Sequence, residues 1–180
     1  MKKLALLVNL MKAKELCFIA VIAAIEFVVF SSFSFVLYLE FITLTVVLFA
    51  MTFKRHQAVL GAIVFGLLNM CIQGVTPWSM MYVLVYPTYS FLIATLRPYL
   101  EKHFSALCIL TGFLSFLTGQ VLQIPFMLIS DKITLLYIIA GLKTSLLQGG
   151  MAIVSCWLCY RPIDAILKPI ERRLNNEKTI

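Results

Sequence analysis

The residues best equipped for chemistry in this 180-residue chain crowd into one stretch, NMCIQGVTPWSMMYVLVYPTY, from Asn69 to Tyr89. Ala58, Ala62, Gly66, Asn69 and Gln73 recur at spacings of four, four, three and four, so a helix would carry them on one face that ends in two amides. Trp78, Tyr82, Tyr86 and Tyr89 repeat the same helical spacing and form an aromatic stripe. Further along, Gln120 and Gln123 form a second amide pair, Lys143 is grouped with Thr144 and Gln148, and Tyr38 with Glu40 opens another apolar run. Amides both donate and accept hydrogen bonds, and tyrosine and tryptophan faces stack on flat rings. This inventory suits binding of a small water-soluble molecule, with Asn69, Gln73, Trp78, Tyr82, Tyr86, Gln120, Gln123 and Lys143 as candidate ligand contacts. Plainer roles exist for each: aromatics collect at membrane interfaces, amides bond helix to helix, and Lys143 can pair with Glu26.

Catalytic and metal chemistry find little purchase. Cys17, Cys71, Cys108, Cys156 and Cys159 are dispersed through apolar segments, where a free thiol packs as a small hydrophobe. CWLC, residues 156 to 159, has the C-x-x-C spacing but neither the strand-to-helix setting of a redox motif nor companion ligands for zinc. His56 and His103 lack partners at metal-binding or catalytic spacing, and the chain carries no phosphate-cradling glycine loop. The sequence therefore reads as a non-catalytic protein with no cofactor and no metal; any ATP that drives it must be bound by another subunit.

The elements that must position these groups are membrane helices. With 62% hydrophobic residues, 13% charged residues and a mean hydropathy of +0.98, the chain has too little polar surface to coat a soluble globule. A helix needs roughly 20 apolar residues to cross a hydrocarbon core, so the expected fold is all-α, a single membrane domain over residues 1–180 with six transmembrane helices. Charge and turn residues place them at 15–32, 36–53, 58–73, 79–96, 104–129 and 133–160, flanked by an amphipathic segment at 1–14 and a cytoplasmic tail at 161–180. Pro87 predicts a kink and a freed carbonyl at Val83. Thirteen of the 15 lysines and arginines fall on one side of such a bundle, which predicts cytoplasmic N- and C-termini and outward SSFS, QGVTPW and SDK loops. That topology, with anionic lipid, accounts for the net charge of +7 without nucleic acid.

Length, span number and termini, together with LEFITLTVVLFA, GLLNMCIQGVTPWSMMYVLVYPTYSF and the alanine motif AVIAA at 20–24, resemble a substrate-binding S component of an energy-coupling factor (ECF) vitamin transporter. The resemblance covers essentially the whole chain. It implies a receptor in the bacterial cell membrane that binds a vitamin or precursor near the outer surface. Its partners would be a transmembrane coupling subunit and two cytoplasmic ATPases. Ala20 and Ala24 would then meet the coupling subunit; with Ala13 and Cys17 they form a small-residue ridge at spacings of four, three and four. Pyridoxine-type or hydroxymethylpyrimidine-type compounds fit the amide and aromatic inventory, and cobalamin is the larger alternative. A different class of function stays open, a stand-alone carrier or channel or a structural membrane subunit; of these, a proton- or ion-coupled carrier would use intramembrane carboxylates, with Glu26 and Glu40 as the candidates.

Overall fold

The computed structural model describes residues 13–33, 36, 40–128 and 130–176, and every regular element among them is helical. The order is α1 (Ala13–Phe33), α2 (Phe41–Thr52), α3 (Arg55–Gln73), α4 (Pro77–Leu100), α5 (Phe104–Val121), a 3-10 turn (Ile124–Leu128) and α6 (Asp131–Asn176). Most of the amphipathic segment assigned to 1–14, Tyr38, and the last four residues of the tail lie outside the described residues.

Five helices are long and apolar enough to cross a membrane, and α2 is a shorter apolar helix of 12 residues. Burial runs against the pattern of a soluble protein. Leu146 is 68% exposed, Val28 60% and Ile109 63%, whereas Glu26, Asn69, Thr111 and Ser115 are enclosed. A surface so apolar suits a lipid environment, and an interior with this many hydroxyls must satisfy them within the protein.

The organising element is α2. Eleven of its residues, Ile42 to Thr52, are buried, and it packs against each of the other five helices. At 1.5 Å per residue it is only about 18 Å long, well short of a hydrocarbon core of about 30 Å. The opposite charges of its neighbours favour its dipole. Glu40 stands at its N-terminus, and the Arg97 guanidinium, reaching from α4, donates to the carbonyls of Ala50 and Phe53 at its C-terminus.

The turn that joins α3 to α4 has a local cause in the sequence. Gly74 closes α3 with φ of +88°, a conformation that costs a side-chain-bearing residue free energy. Thr76 and Ser79 then cap α4 reciprocally: Ser79 N–H donates to Thr76 Oγ1 at 3.1 Å and Thr76 N–H to Ser79 Oγ at 2.8 Å, with Pro77 at the first helical position. Helix α4 continues through Pro87 and Pro98 to Leu100, four residues beyond the span expected from the charge at Arg97.

Four other boundaries differ from expectation, the second and third helices starting at Phe41 and Arg55 rather than at 36 and 58. The fifth helix ends at Val121 and gives way to the 3-10 turn around Pro125, because proline cannot donate into a continuing α-helix. The tail assigned to 161–180 is helical through Asn176 as an extension of α6. Arg161 lies over the Phe104 ring at 4.5 Å, Asp164 pairs with Lys168 at 2.8 Å, and Leu167 packs on the core, so the polar extension is held by its own contacts.

Candidate ligand-binding site

Because α2 is short, the bundle is hollow above its N-terminus. A part-open cavity of about 400 Å³ occupies that space, lined by side chains from α1, the start of α2, and α4, α5 and α6. Glu40 is the one charged residue among the described residues that line it. Its carboxylate bonds to Tyr86, nine residues into α4, so it lies roughly 13 Å along that helix from its start.

Three hydroxyls converge on this carboxylate. Thr43 Oγ1 donates to Oε1 at 2.9 Å, Tyr86 OH donates to the same oxygen at 3.3 Å, and Ser115 Oγ donates to Oε2. Three donors and the N-terminal end of α2 hold the carboxylate in place within the protein. Among the described residues no lysine, arginine or histidine forms an ion pair with it.

The walls are aromatic on one side and polar on the other. Tyr82 and Tyr86 stack with centroids 5.5 Å apart and planes at 24°, and Phe30 meets Tyr82 edge-on at 5.3 Å. Trp78 stands higher on the same stripe, half exposed, with Phe126 of the 3-10 turn edge-on at 5.2 Å. Opposite, Thr118 and Gln123 come from α5 and the turn after it, and Thr144, Ser145 and Gln148 from α6. Gln123 Oε1 has no partner, which leaves an acceptor on the wall.

The candidate residues divide when placed in this geometry. Trp78, Tyr82, Tyr86 and Gln123 line the cavity. Gln120 stands behind it and donates through Nε2 to Ser145 Oγ at 2.7 Å, bracing a lining residue. Asn69 is enclosed with both amide atoms unpartnered and does not line the cavity; Gln73 is exposed at the end of α3. The small-residue face that carries Asn69 packs instead against α4, where Gly66 lies against the backbone of Val83. Lys143 is exposed on the outer side of α6, while Gly141, Thr144, Ser145 and Gln148 face inward, and no ion pair joins it to the buried Glu26.

Sequence reading missed the hydroxyl row of α5. Thr111, Ser115 and Thr118 are spaced by four and three on a buried face, a pattern visible in the sequence and informative only once Glu40 is known to oppose it. It also passed over Phe30 and Ser145, which look like ordinary span residues.

Fold and cavity together define an all-helical protein whose long apolar helices support a multi-pass membrane protein, with a polar and aromatic recess between them. Compared with protein-family models, with curated proteins and with solved structures, the chain finds no match in any of the three.

Proposed function

We propose that the chain is the substrate-binding subunit of an ECF-type transporter, with six membrane segments, cytoplasmic termini and a recess open to the outside that captures a small water-soluble vitamin or precursor. The observation that carries this reading is the recess: a half-buried carboxylate, stacked tyrosines and unsatisfied amide capacity at the bottom of a well between lipid-facing helices. A bilayer penalises such groups unless they meet protein, water or ligand. A volume of about 400 Å³ lies near the low end of the range of small-molecule sites, which suits a one- or two-ring compound of the pyridoxine or hydroxymethylpyrimidine type better than cobalamin.

Assembly with a coupling subunit and two ATPases draws support from α1. Ala13, Cys17, Ala20 and Ala24 are all exposed, next to exposed Val21, Ile25 and Val28, so the ridge is free of the other described helices. Small residues permit the close backbone approach that holds helices together in lipid. The test is purification followed by mass spectrometry of the bound small molecule, combined with Ala20→Leu and Ala24→Leu. Both variants are expected to retain the molecule but to lose uptake in cells and co-purification with the coupling subunit. Loss of the bound molecule in both variants, or uptake that persists, overturns the assignment.

A second reading, a stand-alone proton-coupled carrier, is favoured by one feature. Glu26 is buried in α1 and its Oε2 has no partner, which is how an intramembrane proton site is often built. Vesicles containing the purified chain alone separate the two: substrate accumulation driven by a pH gradient supports the carrier, and its absence supports the binding subunit.

A further inference from the structure

The recess has an electrostatic character that narrows what it can hold. The one charged group among the described lining residues is the Glu40 carboxylate, and Phe30, Trp78, Tyr82 and Tyr86 add aromatic rings to the same lining. Aromatic faces carry negative quadrupole potential and attract cations, the more so when water is excluded. The carboxylate is held by three hydroxyls that donate to it and has no cationic partner among the described residues. Two of those bonds are on Oε1 and one is on Oε2, which leaves acceptor capacity on Oε2. A neutral ligand would leave the carboxylate beneath it without a cationic partner, and an anion would add repulsion.

We propose that the recess selects a flat monocation that carries N–H donors, such as an amidinium or a protonated amino-heteroaromatic, with its charged edge on Glu40 and its ring against the Tyr82–Tyr86 wall. This rests on the binding-subunit reading and deepens it by assigning the charge of the substrate. A planar N–H edge matches a carboxylate in the way guanidinium does, with directional bonds that an ammonium point charge lacks. The hydroxyls of Thr43, Tyr86 and Ser115 act as positioning groups that fix the carboxylate.

The test uses two probes of nearly the same shape, benzamidinium and neutral benzamide, titrated calorimetrically into the purified full-length protein in detergent after any co-purified molecule has been dialysed away. Benzamidinium is expected to bind about 10 to 100-fold more tightly than benzamide. Glu40→Gln, which keeps the shape and removes the charge, is expected to reduce that ratio to near one. Ser115→Ala removes one of the three donors that fix the carboxylate and is expected to narrow that ratio without abolishing it. Equal affinity of the wild-type protein for both probes, no binding of benzamidinium at millimolar concentration, or a cation preference that survives Glu40→Gln would each overturn the proposal. The wild-type ratio decides it even where Glu40→Gln fails to fold. The transporter assignment is judged separately: a neutral co-purified vitamin with intact dependence of uptake on Ala20 and Ala24 would refute the charge assignment and leave that assignment standing.

Discussion

Two glycines on adjacent helices should respond to the same substitution in opposite directions. Where α5 crosses α6, a Cβ at Gly112 would lie 2.7 Å from the carbonyl oxygen of Gly149 and would also strike the Ile153 side chain. The oxygen is backbone and cannot rotate away, so Gly112→Ala forces the helices apart by about 0.7 Å along their most extensive contact. Overpacking of this kind costs about 1 to 3 kcal/mol, offset by about 1 kcal/mol of improved helix propensity. The net loss is about 0 to 2 kcal/mol. Gly150, one residue past the contact, has nothing within 4 Å of a built Cβ. Gly150→Ala therefore keeps the propensity gain without the clash and should stabilise by about 1 kcal/mol. The two variants should be separated by about 1 to 3 kcal/mol, or roughly 2 to 12 °C in apparent Tm for a chain of this size. Thermal unfolding of the detergent-solubilised proteins, followed by circular dichroism, measures it. Equal transitions, or a Gly112→Ala protein more stable than Gly150→Ala, would refute the close α5–α6 crossing and with it the placement of Thr118 and Ser145 on facing walls.

At the other end of the bundle, Arg97→Met should lower the apparent Tm by about 4 to 10 °C, since it strips two charge-assisted bonds from the C-terminal carbonyls of α2. Arg97→Lys should recover only part of that, and an unchanged transition in the methionine variant would remove the capping role. The chain has two tryptophans, Trp78 at the cavity rim and Trp157, 64% exposed on α6, so ligand should perturb the emission of Trp157→Phe protein and leave that of Trp78→Phe protein unchanged. The reverse pattern moves the site elsewhere. In a cysteine-free background, Val75→Cys, which is 73% exposed in the α3–α4 turn, should react with an impermeant maleimide on intact cells, whereas His103→Cys should react only after permeabilisation. Labelling of both, or of His103→Cys alone, would reverse the proposed orientation.

The helices were legible because hydropathy is a bulk property of each segment, and the charged breaks at Lys54–Gln57 and Glu101–His103 are sharp. The start of α2 was not, because an apolar run such as FITLTVVLFA reads alike whether its faces meet lipid or protein. The aromatic stripe of α4 was readable from its spacing alone, and Trp78, Tyr82 and Tyr86 do share one cavity. Spacing shows which residues share a face but not which neighbour that face meets, so the Asn69 stripe was placed toward the recess although it packs on α4. Lys143 shows the limit at its finest, since its immediate neighbours Thr144 and Ser145 line the recess and a single helical step points it outward. Glu40 was visible as an intramembrane acid, but its hydroxyl partners Tyr86 and Ser115 lie 46 and 75 residues away, a convergence that only the packed bundle creates.

The enclosure of α2 also governs leakage. Beneath Glu40 the axis of the bundle is filled by the side chains of Leu44, Val46, Val47, Ala50 and Met51, each at most 1% exposed, with Phe65 and Ile93 pressed around them. An ion or solute entering from the recess meets about 18 Å of dry, close-packed helix end-on, where an unpaired charge costs tens of kcal/mol in the limiting case. Among the described residues the packed core around α2 thus offers no open path leading down from the recess. Under the proposed transport function, a solute held in the recess would cross only if the body moved or α2 were displaced, and the energy for crossing would go into protein motion.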